Sequence, residues 1–245
     1  MRLTIINKFL GVYVLLTSLA VTLIVTPFNS VDPVNLPKLC LLIFFSFTAT
    51  GLLLSSFQFF KAKENRTVIL NVLFFLALLA LVLIFDDRDF ASKFYGNFGR
   101  NTGFIAYLSL TLLLLVSVAS ASRILLQRYV IAILATAALL ACYGFLQSNG
   151  KDFYQFESGY ASNVFGTFGN PNFQSAFMGI ALATASTLAF YSRIRTPYKA
   201  GLFILMALYL YNISVSSQQG YLNFAAGLAA ATTIFLFKSR RLILG

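Results

Sequence analysis

The sequence predicts an all-α integral membrane protein of about eight transmembrane helices with both termini in the cytoplasm. Three observations carry that prediction. Hydrophobic residues make up 59% of the 245 positions and charged residues 10%, and the mean hydropathy is +0.82, well outside the balance of a soluble domain. The apolar residues fall into runs close to the roughly 20 residues that a helix needs to cross a bilayer. The Lys and Arg residues alternate in density from one connection to the next, which fixes an orientation.

In chain order, Met1 to Lys8 is short and basic and precedes an apolar run at 9–25. No small-residue cleavage site follows, so the run reads as a retained signal anchor. Pro27, Pro33 and Pro37 make Thr26 to Lys38 a loop. Further spans are expected at 39–57, 68–85, 103–120, 129–147, 173–191, 200–216 and 220–237, as one polytopic domain. Cys40 and Cys142 lie inside apolar runs, where a small buried thiol is expected rather than a disulfide or a metal ligand. His is absent, and with it the commonest neutral-pH acid–base side chain and metal ligand; no metal site is expected.

Thirteen of the 18 basic residues fall on the side of the N-terminus and of 58–67, 121–128, 192–199 and 238–245, together with Glu64 alone among the acids. Lys38, Arg88, Lys93, Arg100 and Lys151 share the opposite side with the other six acids, Asp32, Asp86, Asp87, Asp89, Asp152 and Glu157. The positive-inside rule puts the basic side in the cytoplasm. The net charge of +11 is therefore a topological bias, and nucleic acid is not an expected partner.

The outer connections (26–38, 86–102, 148–172 and a tight turn near 214–219) carry the residues of interest. Their Gly, Asn, Tyr and Phe suit a glycan or a lipid headgroup, since aromatic faces pack on sugars while amides bond hydroxyls. The densest stretch is Phe165-Gly-Thr-Phe-Gly-Asn-Pro-Asn-Phe-Gln174. Gly166 and Gly169 permit positive φ and Pro171 fixes φ, giving a rigid turn into a helix that begins near Asn172, with Asn170 and Asn172 as capping residues. The open amides of that helix would suit an anion such as phosphate, though a capped helix with no ligand explains the same spacing. Tyr95-Gly-Asn-Phe-Gly-Arg100 repeats the pattern 70 residues earlier with Gly96 and Gly99, and each copy precedes a span. Two such turns would flank one site, with Arg100 supplying a cation, unless the likeness is a coincidence of Gly-rich interfaces. Arg88 and Lys38 are the other candidate phosphate contacts; an Arg fork binds phosphate oxygens in a bidentate way that Lys does not. Asp86-Asp87-Arg88-Asp89 reads equally as a self-satisfied cluster ending the third span.

These motifs together resemble the N-terminal portion of the O-antigen ligase and polymerase family: Gly166 to Phe173 and Tyr95 to Phe104 each opening a span, Leu36-Pro-Lys38 before the second, and Ser214 to Gly220 between the last two. The resemblance implies a bacterial inner-membrane glycosyltransferase of the C type. Such an enzyme moves a glycan from an undecaprenyl diphosphate carrier to lipid A core, a polysaccharide or a protein on the periplasmic face, with neither metal nor nucleotide cofactor. It also implies that Arg100 occupies the family's first-motif arginine. Two departures stand beside it. The chain has no His where the family carries one in a later periplasmic loop, so the resemblance covers the first half only; and Gln218 and Gln219 stand where the family commonly has an Arg, which leaves Gln219 as the candidate contact. A transporter or a structural membrane subunit is the alternative; mid-span charge, which a transporter needs, is essentially lacking.

Overall fold

The computed structural model describes residues 2–26, 32–55, 58–153 and 164–243. The loop positions 27–31 and 154–163, with Pro27 and Glu157 among them, lie outside the described residues. Among the described residues the chain is all-helical, with no strand.

The helices are α1 (Arg2–Leu23), α2 (Asn35–Leu54), α3 (Gln58–Lys61), α4 (Arg66–Phe85), α5 (Phe90–Tyr95), α6 (Phe104–Ser120), α7 (Arg123–Ser148), α8 (Pro171–Tyr191), α9 (Thr196–Ser216) and α10 (Gln219–Ile243). All eight apolar runs are helical within a few residues of the expected bounds. Among the described residues six helical segments are long and apolar enough to cross a membrane: Asn35–Leu54, Lys63–Phe85, Arg123–Ser148, Pro171–Tyr191, Thr196–Ser216 and Gln219–Lys238. The apolar stretches Lys8–Leu23 and Phe104–Ser120 are shorter. The protein is thus a multi-pass membrane protein with a lipid bilayer as its solvent.

The chain divides into two compact units, Met1–Tyr129 and Val130–Gly245. In the first, α2 packs on α6, with α1 against both and α4 against α6. Leu10 and Val14 of α1, Ala49 and Leu53 of α2, Val72 of α4 and Leu115 and Val116 of α6 form its core. A second cluster, Leu39, Ile105 and Ala106, lies where α2 and α6 both begin, near the Gly-rich turn. Val72 is the one buried residue of α4, while Phe74 is 66% and Phe85 76% exposed. A helix apolar all round yet almost wholly exposed is stable only with lipid around it.

In the second unit α8 is the central helix, packed against α9 and α10. More than half of its span is buried, whereas little of α10 is. Its inner face is built from small residues, Ser175, Gly179, Ala183 and Ser186 among them. Hydrocarbon solvent offers no hydrophobic drive to bring helices together, so close backbone approach and interhelical hydrogen bonds must do so. A side-chain carbon at Gly179 would lie 2.3 Å from the Gly220 carbonyl oxygen. Ser175 Oγ donates to the Ser217 carbonyl and accepts from Gly220 N–H at 3.0 Å, stitching α8 to the start of α10.

Cys40 and Cys142 are both free, as expected, but exposed rather than buried. Periodicity within an apolar run does not tell a lipid-facing position from a core one, because both are apolar.

Candidate functional site

Each copy of the repeated turn carries a left-handed backbone at both of its glycines: φ is 91° at Gly96 and 77° at Gly99, 55° at Gly166 and 66° at Gly169. The shared glycines therefore share positive φ, although the turns close differently: Arg100 N–H bonds the Asn97 carbonyl in the first, Phe168 N–H the Phe165 carbonyl in the second. The copies belong to different units and sit in different surroundings.

In the first unit the turn between α5 and α6 is anchored to the start of α2. Asn35 Nδ2 donates to the Gly99 carbonyl at 2.7 Å, and Asn101 Nδ2 to Asp32 Oδ2 at 3.3 Å. Asp32 is buried, and its other oxygen accepts from Asn35 N–H at 2.7 Å and Val34 N–H at 3.3 Å, capping α2 where the helix dipole favours a negative charge. Arg100 lies on this braced turn. Its backbone N–H bonds Asn97 O at 3.0 Å, while its exposed guanidinium makes no hydrogen bond or ion pair among the described residues.

The other two cations are engaged. Lys38 Nζ donates to the Val21 and Thr22 carbonyls at 2.9 and 2.8 Å, closing the last turn of α1. Arg88 grips Asp86 through Nε and Nη2 at 2.6 to 3.1 Å. That fork holds the Asp86 carboxyl well below the usual range, at about 2, and raises Arg88 in turn. The pair's contribution is thus complete above the ordinary carboxylate range and fades as pH falls toward 2. Asp89 caps α5 by accepting from Ser92 N–H at 2.8 Å, which also lowers its pKa. Two of the cluster's three carboxylates, Asp86 and Asp89, are thus held within it, while Arg88 keeps Nη1 uncommitted among the described residues. Arg88 does share a cleft of about 150 Å³ with Lys93, Gly96 and Asn97; Arg100 does not line it.

In the second unit the Phe165–Gln174 stretch differs from expectation in one respect. Asn170 is the cap, its Oδ1 accepting from Asn172 N–H at 2.8 Å, and the helix starts at Pro171. Phe173 N–H and Gln174 N–H both bond the Asn170 carbonyl at 3.1 Å. The first turn of α8 is closed, so no row of open amides faces an anion there. Asn172 is not a cap: its Oδ1 accepts from Ser217 Oγ at 2.6 Å. Gln219 opens α10, exposed, with its N–H 3.4 Å from Ser217 Oγ. The structure thus gathers Asn170, Asn172 and Gln219 at the junction of α8 and α10. Asn170→Ala should cost about 1 kcal/mol of stability and Asn172→Ala under about half of that, since the latter loses only an exposed bond. Chemical unfolding in detergent reads the difference; equal costs would mean that both amides serve alike.

Beneath this turn lies a polar chain that sequence reasoning passed over. Gly166 N–H donates to Gln147 Oε1 at 2.9 Å, and Gln147 Nε2 to Asp152 Oδ2 at 2.9 Å. Tyr143 OH donates to Asp152 Oδ1 at 2.5 Å. Gln174, fully buried, reaches Leu140 O at 3.3 Å and Asn212 Oδ1 at 3.5 Å; Asn212, also fully buried, donates to Ala141 O at 2.9 Å. Gly144 and Gly166 make room for these amides, since a side-chain carbon would lie 2.1 Å from Asn212 Oδ1 and 2.2 Å from Gln174 Oε1 respectively. Uncharged amides within apolar runs, Asn212 and Gln174 here, are the signal the sequence carries for such a chain.

Comparison of the chain with protein-family models, with curated proteins and with solved structures finds no match.

Proposed function

We propose that this chain is a bacterial inner-membrane protein of the O-antigen ligase and polymerase kind, with eight spans and both termini cytoplasmic. It would engage an undecaprenyl-diphosphate-linked glycan on the periplasmic face, for transfer to lipid A core, a polysaccharide or a protein. One observation carries the reading: Arg100 is an exposed guanidinium with no partner among the described residues, held on a turn braced to α2 through Asn35 and Asn101. A cation so presented, beside left-handed glycines that let a ligand approach the backbone, suits a diphosphate. Its five N–H donors remain available for bidentate contact. The chain's part in this reading is donor binding. The family's imidazole base is not supplied from within these 245 residues, which contain no His.

The test is binding of an undecaprenyl-diphosphate-linked glycan to the chain in nanodiscs. Arg100→Ala should weaken it about tenfold or more, since a charge-assisted hydrogen bond is worth roughly 1.5 to 3 kcal/mol, and Arg100→Lys should recover only part. In cells, a Cys at Asn97 should react with an impermeant thiol reagent from the periplasm, and one at Asn65 should not; the opposite sidedness would remove the turn from the donor's face. A structural membrane subunit is the second reading, favoured by the internal bonds that already occupy Lys38, Asn170 and Asn172. It predicts donor binding indifferent to both Arg100 variants.

A further inference from the structure

The seam between α4 and α6 holds two clefts that meet at Tyr107. The first, about 150 Å³, lies at the α4 C-terminus and the α6 N-terminus and is lined by Asp86, Arg88, Ser92, Lys93 and Asn97. The second, about 460 Å³, runs along the same two helices between Val72 and Phe75 on one side and Leu110 and Leu114 on the other, and is almost wholly apolar. From Leu83 to Val68 the seam is about 22 Å long at 1.5 Å per helical residue. One leaflet contributes about 15 Å, half of a hydrocarbon core of roughly 30 Å, so the seam is longer than one leaflet is deep and an acyl chain entering at its polar end runs along it through that leaflet's full depth.

The polar end has the donors to match a headgroup. Among the lining residues Arg88 and Lys93 stand against Asp86, and Asp89 also acts on Arg88, so the match lies in hydrogen-bond donors rather than in net charge. Arg88 uses Nε and Nη2 on Asp86, which leaves Nη1 without a partner among the described residues. Lys93 Nζ donates to the Asp86 carbonyl at 2.8 Å and keeps two further protons. The side-chain amide of Asn97 and the hydroxyls of Thr102 and Tyr107 are also uncommitted among the described residues. Gly103 precedes α6 with no side-chain cap: Ala106 and Tyr107 N–H bond the Gly103 carbonyl at 3.1 and 3.4 Å, as in the first turn of α8, but the N–H groups of Phe104 and Ile105 have no counterpart of the Asn170 cap.

We infer that the α4/α6 seam is a binding site for an anionic glycerophospholipid, with its phosphate among Arg88, Lys93 and Asn97 and one acyl chain in the groove below Tyr107. The uncommitted donors of Arg88, Lys93 and Asn97 match a phosphodiester, and the continuity of polar cleft and apolar groove matches an amphiphile rather than a free anion. The cleft shares Gly96, Asn97 and Thr102 with the turn that carries Arg100 but is not lined by Arg100 itself, and the inference does not depend on the glycan reading.

The experiment is native mass spectrometry of the chain released from nanodiscs of phosphatidylglycerol mixed equally with phosphatidylcholine. The wild type should retain phosphatidylglycerol in at least tenfold preference. Lys93→Gln and, separately, Arg88→Gln should cut that preference several-fold, and Lys199→Gln should leave it unchanged. Leu110→Trp, which fills the groove, should reduce retention of the lipid, while added glycerol phosphate should not displace it. Equal retention of the two lipids by the wild type would overturn the inference without any variant. Displacement by glycerol phosphate, or indifference to Leu110→Trp, would show a free-anion cleft and overturn it too. The inference fails equally if preference persists in both cation variants.

Discussion

Gly166→Ala should unfold much of the second unit. The residue has φ of 55°, and a side chain in that left-handed region costs about 1 to 2 kcal/mol. The added carbon would also lie 2.2 Å from Oε1 of Gln174, which is fully buried between Leu140 and Asn212. Gln174 must then rotate away, and its hydrogen bonds inside an apolar helix cluster go unmade, a further cost of about 1 to 3 kcal/mol. The sum, about 2 to 5 kcal/mol, corresponds to a folded-to-unfolded ratio reduced at least about thirtyfold. Gly150→Ala is the control, because φ there is 70° but nothing lies within 4 Å of the added carbon. It should show the backbone strain alone. Unfolding in mixed micelles, followed by far-ultraviolet circular dichroism, separates the two; Gly166→Ala no worse than Gly150→Ala would mean that the buried amides do not depend on that glycine. Gly166→Ala combined with Gln174→Ala should recover part of the loss, since the two side chains compete for one space.

Gly179→Ala should separate α8 from α10. The added carbon would lie 2.3 Å from the Gly220 carbonyl oxygen, a backbone atom that no rotamer change can move. Relief requires the helices to part, and with that go the bonds of Ser175 to Gly220 N–H and Ser217 O. Overpacking of this kind costs about 1 to 3 kcal/mol, and lipid offers no hydrophobic compensation for a widened seam. Gly227→Ala should cost less, because its nearest neighbour is the Ala183 side-chain carbon at 2.8 Å rather than backbone. Gly201→Ala, in open space on α9, should be neutral or stabilising by up to about 1 kcal/mol. Thermal aggregation in detergent, read by size-exclusion chromatography, should rank the variants in that order. A Gly179→Ala protein as stable as Gly201→Ala would mean that the α8/α10 approach is not as close as described.

What the sequence alone determined is everything that follows from solvent and local backbone chemistry. A bilayer demands long apolar helices with internally satisfied backbones, so the positions of the eight apolar helices could be read from runs of Leu, Ile, Val and Phe. Positive φ favours Gly, so Gly96, Gly99, Gly166 and Gly169 were legible as turns, though Asn101 also takes it at φ 50°, and Asn170 before Pro171 was legible as a cap. Which of these polar residues stays free for a ligand was decided only by tertiary structure. Asn172 and Lys38 resemble Arg100 in sequence, as polar groups at a helix boundary. Their partners, Ser217 for the one and the Val21 and Thr22 carbonyls for the other, lie 45 and 16 to 17 residues away. The buried amides Gln174 and Asn212 escaped for the same reason. Between lipid-facing and core-facing apolar residues there is no difference in hydropathy to read, so only the packing of α8 against its neighbours reveals which face carries Gln174 and where Gly144 and Gly166 leave room for an amide.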